Sequence, residues 1–535
     1  MSEDSKPQTG DEDVAPVQGE AVAQTSQVIE NGSSGACMID GALDPAAIVI
    51  FGASGDLTGR KLIPALYNLY CIECLPDPFL ILGTARSEYS DESWREKMHQ
   101  AVIKHGGLDL SQWGDFATRL HYQPLVYDHA HSYHELADRL QELEHDHSAT
   151  GNRMFNLAIP PALYATVASM IGRAGLAREK GEDGPWRRLV VEKPFGRDLA
   201  SARELDQAIA VGFAEHQVFR IDHYLAKETV QNVLMMRFAN SIFEPIWNRN
   251  YIDHVTIIAA ESLGVEHRAG YYEQAGVLRD MFQNHMIQLL ALSAVEPPTR
   301  YGADRVRDEK VKLARAVRPY TTQGQRDYLV LGQYQAGEIA GEPVIGYRQE
   351  PGVAPDSVTP TFGMLKVEIE NWRWQGVPFY LISGKRLAKK ATRVGIHFKE
   401  VPHSLFRSEL GEHISTNRLI LGIHPDESIS LTIQTKNPGA RLCLRTVKML
   451  FDYNQGYSGP ILEAYEKALL DCILGDQMLF WRRDGVEISW ALLDPVLEAC
   501  ETCADRGERL KPYPAGSWGP KEVERLLPSW PKEAQ

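Results

Sequence analysis

The chain has 535 residues, 44% of them apolar and 24% charged, and its 71 acidic against 56 basic side chains leave a net charge of −15. That length holds two or more domains of ~100–200 residues, and no apolar run approaches the ~18 residues a membrane helix needs. The acidic balance excludes nucleic-acid binding through a general basic surface.

The charge is unevenly spread. Residues 1–45 hold nine acids, the single base Lys6 and no aromatic side chain, so more than half of the net charge sits there. Such a stretch cannot bury enough apolar surface to offset its ordering entropy and is predicted to be disordered. It lacks the basic start and apolar core of a secretory signal and is too acidic for a transit peptide, so a cytoplasmic location is expected. The seven cysteines form no disulfide framework. Cys71/Cys74 and Cys500/Cys503 have C-x-x-C spacing, but both pairs lie in helical-looking sequence without a nearby histidine. They read as helix faces, and no metal site is expected.

The first ordered element is the apolar run 46–51, a buried parallel strand ending at Gly52. The turn Gly52, Ala53, Ser54, Gly55, Asp56, Leu57 follows, then helical periodicity over 61–70 and a second strand over 79–83. Strand, glycine turn and helix suit a dinucleotide: the glycines let backbone N–H groups approach a pyrophosphate, and the helix N-terminus favours the anion. The spacing is G-x-x-G rather than G-x-G-x-x-G, so a plain tight turn stays open. NAD enzymes place an acid after the second strand to hold the ribose 2′-hydroxyl. Here Arg86 stands there. It suits a 2′-phosphate and hence NADP, or else is a solvated surface charge. Strands at 154–159 and 188–192 alternate with helices at 162–174 and 201–210. That alternation predicts a Rossmann-like, doubly wound parallel sheet over 46–220.

The pattern then changes. Helices are predicted at 227–238 and 276–293, and strands at 254–260, 327–334, 363–370, 393–398, 416–422 and 428–434. Strands in series imply a larger α+β domain over 221–535 with a mainly antiparallel sheet. Residues 335–360, rich in Gly and Pro, read as a loop; 464–472 and 489–500 read as helices, and 513–518 as an irregular aromatic segment. Two clusters carry charge. If helical from about 224, Arg220–Glu228 gathers His223, Tyr224 and Lys227 near a helix start, either as an anion pocket or as an ordinary amphipathic surface. Within 279–288, His285 lies in an apolar helix, as a hydrogen-bonded core residue or as a base. Asp280 is five residues before it, off its helical face, so an orienting carboxylate is expected from elsewhere in the chain.

Together these segments resemble the glucose-6-phosphate dehydrogenase family over essentially 46–520. The match runs through Gly52–Leu57 with Arg60 and Lys61, 83–86, 192–196, the nine residues 220–228, 243–248, 270–273, 279–288, 306–310, 377–381 and 383–385. The resemblance implies that His285 is the base taking the C1 hydroxyl proton and Asp222 its orienting partner. It implies that His223, Tyr224 and Lys227 hold the substrate phosphate, and that Lys193, Glu261, Asp280, Lys385 and Lys390 hold the sugar or complete the site. Gly52, Ala53, Ser54, Gly55, Asp56, Leu57, Arg60, Arg86 and Lys193 would contact the coenzyme.

The implied reaction oxidises glucose 6-phosphate at C1 to 6-phosphoglucono-lactone, with hydride passing to NADP. This is the first step of the pentose phosphate pathway, and a homodimer or homotetramer is expected. Ala226 stands where the family usually has Gly, Glu273 where Asp is frequent, and Lys390 where some relatives have Arg. Two rival readings remain at this stage. One is a dehydrogenase of another sugar or sugar phosphate; the other is a catalytically silent NADP-binding homologue.

Overall fold

The computed structural model describes residues 41–532 except 106, 150, 182–183, 322–323, 407–413, 441, 454–460 and 504. The predicted disordered tail therefore lies, but for its last five residues, outside the described residues. Among the described residues no helix is long and apolar enough to cross a membrane.

Six strands form the first sheet: β1 (Ala46–Phe51), β2 (Phe79–Ala85), β3 (Leu120–Pro124), β4 (Asn152–Leu157), β5 (Arg187–Val191) and β6 (Val218–Arg220). All neighbours are parallel and the order is β3-β2-β1-β4-β5-β6. That is the doubly wound order with its switch point between β1 and β4, where ligands bind beyond the strand ends. Helices α1 (Ile63–Cys71), α2 (Asp91–His105), α3 (Trp113–Thr118), α4 (Ala130–Asp146), α5 (Tyr164–Arg173) and α6 (Leu199–Ile209) connect the strands. Every residue of β1 is buried, as expected of a strand covered by helices on both faces.

The second sheet has nine strands: β7 (Ile252–Ala260), β8 (Leu329–Gln335), β11 (Phe362–Glu368), β12 (Pro378–Gly384), β13 (Ala391–Phe398), β14 (Arg418–His424), β15 (Ser428–Lys436), β16 (Leu444–Asp452) and β17 (Leu510–Pro514). Their order is β16-β15-β14-β13-β7-β12-β11-β8-β17, antiparallel except for the β7/β12 and β8/β17 pairs. Its helices are α7 (Glu228–Phe238), α8 (Ala269–Val277), α9 (Ile287–Ala294), α10 (Ala303–Arg315), α11 (Ala464–Leu474) and α12 (Arg483–Glu501). The chain end returns to the first sheet, where α11 packs on α1. Arg188 of β5 donates to the Cys472 and Ile473 carbonyls at 2.8 and 2.5 Å, satisfying acceptors that the end of α11 leaves open.

Four expectations are corrected. Residues 335–360 are not all loop: β9 (Gly337–Ile339) and β10 (Glu342–Val344) form a small hairpin. The stretch 276–293 is not one helix. Gly276 takes φ +58, and a π-helical segment, Leu278–Met286, separates α8 from α9. The helix in 220–228 starts at Glu228, not near 224. Asp222 accepts the Tyr224 N–H at 3.0 Å, and this side-chain turn holds 222–226 out of the helix. Cys74 lies just past α1 and Cys503 just past α12, so neither C-x-x-C pair shares a helix face.

Candidate active site

The glycine turn sits at the end of β1. Gly52 takes φ +87, and a Cβ there would lie 2.1 Å from the Ala158 carbonyl after β4. Its N–H and that of Ala53 close the turn on the Thr84 carbonyl, at 2.8 and 3.2 Å. Gly52 is thus required by the turn and the switch-point crossing, whereas a Cβ on Gly55 would meet only the Gly52 carbonyl, at 3.1 Å. Gly52→Ala is expected to destabilise the fold by about 3 kcal/mol or more, read as a lowered thermal midpoint and lost coenzyme binding. Ser54, Gly55, Asp56 and Leu57 face the crevice partly or fully exposed, and Arg60 reaches back to Asp56 at 3.0 Å. Arg86 is exposed just past β2, within electrostatic reach of Tyr127, which also lies at the Gly52 turn. Sequence reasoning missed Tyr127 and also Lys97, whose Nζ donates to the Ser54 carbonyl at 2.9 Å.

Asp222 and Lys193 follow the ends of β6 and β5, at the same edge of the sheet as the glycine turn. His285 lies in the π-helical segment and is fully buried. Its Nδ1 stands 2.5 Å from Asp222 Oδ1, and its Nε2 stands 2.6 Å from Lys193 Nζ. An ammonium donates and does not accept, so Nε2 is the unprotonated nitrogen and Nδ1–H donates to Asp222.

The π-helix also changes the place of Asp280. Its i→i+5 bonding stacks residues five apart, so Asp280 and His285 share a face that an α-helix would split. Lys193 Nζ bridges them, 3.7 Å from Asp280 Oδ1. Trp490 Nε1 fixes the Lys193 loop by donating to the Phe195 carbonyl at 2.9 Å.

Electrostatics follow from this packing. Burial raises the Asp222 carboxyl, but the charge and hydrogen bond of His285 outweigh it and hold it well below the usual carboxylate range. Burial lowers His285, and Lys193 lowers it further against the pull of Asp222. The pair is therefore carboxylate and neutral imidazole near neutral pH. Burial also raises Asp280, while Lys193, Lys385 and Arg268 bring it down to about 2.

Glu261 and Lys385 follow the adjacent parallel strands β7 and β12 and pair at 2.6 Å. The Tyr224 ring stacks on His285 with centroids 4.0 Å apart, and His223 meets His285 edge-on at 5.0 Å. Lys227 stands at the N-cap of α7, and burial followed by neighbouring Lys390 pushes its ammonium down to about 8. His424, at the end of β14, is lowered to about 4 by burial, then by Lys227 and Lys390. Glu427 and Asp426 offset only part of this, so the three basic groups make a pocket suited to a dianion. No local sequence signal marked His424. It arrives through the sheet, where Thr229 of α7 donates to the Ile423 carbonyl at 3.1 Å.

The ligand atoms of Asp222, His223 and His285 lie within 4.8 Å of one another, a donor set of metal-binding type. Lys193, however, already places a cation on His285 Nε2, and the set works as a hydrogen-bonded dyad.

Two family models together match nearly all of the described residues. One, described as the glucose-6-phosphate dehydrogenase NAD binding domain, covers residues 49–232; the other, its C-terminal domain, covers 234–532. The chain belongs to the glucose-6-phosphate dehydrogenase family. The glucose-6-phosphate 1-dehydrogenase of Aggregatibacter actinomycetemcomitans is 48% identical over 480 residues, 90% of this chain and 95% of that one. That of Bacillus subtilis is 42% identical over 482 residues, 90% and 96% of the two chains.

Among solved structures, a glucose-6-phosphate dehydrogenase in complex with its substrate glucose-6-phosphate matches with TM-score 0.83 and 35% identity. The match covers 92% of this chain and 99% of that one. The Mycobacterium avium enzyme matches with TM-score 0.77 and 32% identity, over 91% and 97%. The protein is thus an oxidoreductase with a pyridine-nucleotide-binding domain. Lys193 and Asp280 stand against the His285/Asp222 pair, Lys385 with its partner Glu261 is within electrostatic reach of Asp280, and Lys227, beside Lys390, lies near the Tyr224 ring.

Proposed function

We propose that this protein oxidises glucose 6-phosphate at C1 with NADP as hydride acceptor, His285 being the base and Asp222 its orienting partner. The observation that carries this is the buried His285 with Nδ1–H given to Asp222 and a lone pair on Nε2. On this reading substrate displaces Lys193 from Nε2, and Lys193 moves its hydrogen bond to the sugar while keeping its contact with Asp280. Nε2 takes the C1 hydroxyl proton as hydride leaves C1 for the nicotinamide, whose chemistry the coenzyme supplies. Asp222 stabilises the imidazolium as it forms. Glu261, Asp280 and Lys385 orient the sugar hydroxyls, and Lys227, Lys390, His223, Tyr224 and His424 meet the phosphate.

The coenzyme reading rests on Arg86, an exposed guanidinium after β2 where an NAD enzyme carries an acid. Arg86→Ala is expected to lower kcat/KM for NADP by about 10- to 100-fold and for NAD by less than about three-fold. Equal losses in steady-state assays with both coenzymes would refute 2′-phosphate recognition. The basic pocket likewise requires a large kcat/KM advantage of glucose 6-phosphate over glucose, and comparable turnover would overturn the substrate reading.

A homodimer or homotetramer belongs to the same reading. The outermost strand β16 leaves Met449 56%, Leu450 38% and Phe451 40% exposed, an apolar edge that a second copy would cover. The family's place in carbohydrate metabolism supports a cytoplasmic location.

A further inference from the structure

Residues 513–518, read from sequence as an irregular aromatic segment, begin inside β17, the last strand of the chain, and the mechanism above gives them no part. β17 is the edge of the second sheet, and β8 and β11 stand between it and β12, the strand that Lys385 follows. Tyr513 of β17 is nevertheless fully buried. Its ring meets Phe362 and Tyr334 edge-on, with centroids 5.7 and 6.4 Å apart.

The Tyr513 hydroxyl belongs to a directional chain of hydrogen bonds along the ends of these strands. Thr361, just before β11, receives the Tyr334 N–H on its Oγ1 at 3.0 Å. That Oγ1 stands 3.1 Å from Tyr513 Oη, which in turn stands 2.7 Å from the Lys385 carbonyl oxygen. A carbonyl only accepts, so the Tyr513 proton goes to Lys385 and the Thr361 hydroxyl donates to Tyr513. The Thr361 carbonyl, at 3.4 Å, is the poorer acceptor of the two. Burial pushes the Tyr513 hydroxyl up from the usual tyrosine range, so it keeps its proton. Thr361 and Tyr334 are as buried as Tyr513, and Lys385 is 7% exposed. In such surroundings each bond of the chain strengthens the next.

The backbone around Lys385 is thus tied on two sides. The Lys385 N–H donates to the Thr361 carbonyl at 3.0 Å, Gly516 N–H to the Arg386 carbonyl at 2.8 Å, and Ala388 N–H to the Ser517 carbonyl at 3.0 Å. Facing these, Glu261 N–H donates to the Gly384 carbonyl and Leu387 N–H to the Glu261 carbonyl, both at 2.9 Å. The Lys385 ammonium ends 2.6 Å from Glu261 Oε2 and 5.1 Å from the centre of the Tyr272 ring.

We propose that Tyr513 is a positioning residue of the sugar site: its hydroxyl fixes the Lys385 carbonyl and so the point from which the Lys385 ammonium meets the substrate. A lysine ammonium sits on a flexible four-carbon stem, so its aim depends on where its backbone is anchored. Removing the hydroxyl leaves a buried carbonyl without its donor, a cost that a shift of 384–388 relieves. Lys385 holds the sugar alike before and during the chemical step, so the loss is read in KM rather than in kcat.

This rests on Lys385 holding the sugar, a reading that fails, and the proposal with it, if Lys385→Met leaves KM for glucose 6-phosphate unchanged. Tyr513→Phe removes the hydroxyl and keeps the ring. It is expected to raise KM for glucose 6-phosphate about five-fold, with kcat and KM for NADP each within about two-fold. In a Lys385→Met background the same substitution is expected to change KM by less than about 1.5-fold, because the residue it acts through is gone. With Lys385→Met impaired, three results overturn the role of Tyr513 alone: an unchanged KM in Tyr513→Phe, a loss confined to kcat, or equal KM effects in both backgrounds, whatever happens to thermal stability. If Tyr513→Phe does not fold, Thr361→Val, which removes the hydroxyl that donates to Tyr513, must raise KM about two- to three-fold while Thr361→Ser keeps the native value. Equal KM in the two Thr361 variants overturns the proposal as well.

Discussion

His285→Asn is expected to lower kcat by about 10³- to 10⁴-fold while KM for glucose 6-phosphate stays within about three-fold. Asn is close in size and can still donate an amide N–H to Asp222, but it cannot take a proton at the position of Nε2. The proposed substrate contacts of Lys385, Glu261 and Lys227 come from other elements, so ground-state binding is expected to survive. Initial rates and stopped-flow single turnovers check this. A variant with near-normal kcat, or one whose loss is all in KM, would remove His285 from the chemical step.

Asp222→Asn is expected to cost about 10³-fold in kcat. Asp222 Oδ1 accepts from His285 Nδ1 and from the Tyr224 N–H. An amide nitrogen turned toward Nδ1 would force the imidazole proton onto Nε2, the nitrogen that must be free. An amide oxygen turned that way keeps the tautomer but loses the charge that stabilises the imidazolium. The sign of the pH effect follows. Asp222 raises the His285 pKa, so its loss moves the acid limb of kcat/KM to lower pH. A variant active within ten-fold of the parent would contradict the role of Asp222.

Much of the fold was legible because its signals are local. The run 46–51 ending in a glycine turn can only be a buried strand, and its alternation with helices gave the doubly wound sheet. Six strands of the second half were found within a few residues for the same reason, whereas β12 and β17 were passed over. β16 was missed because its side chains are exposed on both faces, so no alternation is written into 444–452. The helices α2 and α4 were passed over although α4 carries Tyr133, Leu136, Leu140 and Leu143 at helical spacing.

At the site, residue types and the nine-residue motif around Asp222 pointed to groups that the structure brings together, but geometry altered the placing of three of them. Asp280, kept as a residue of the sugar site but expected off the helical face of His285, shares that face because the segment is π-helical, and nothing in the sequence announces that widening. His223 and Tyr224 were placed on a helix start, whereas the Asp222 side-chain turn holds them in a loop over His285. His424 was invisible because it reaches the site only through tertiary packing.

The most direct test of the dyad is the pH dependence of kcat/KM for glucose 6-phosphate in the native protein and in His285→Asn. Burial disfavours the imidazolium of free His285, so the native profile should fall ten-fold per unit below a single pKa that lies under the usual ~6.5. In His285→Asn the remaining rate should show no such limb. A limb that persists unchanged in His285→Asn, or a variant rate within ten-fold of native, would show that another group takes the proton.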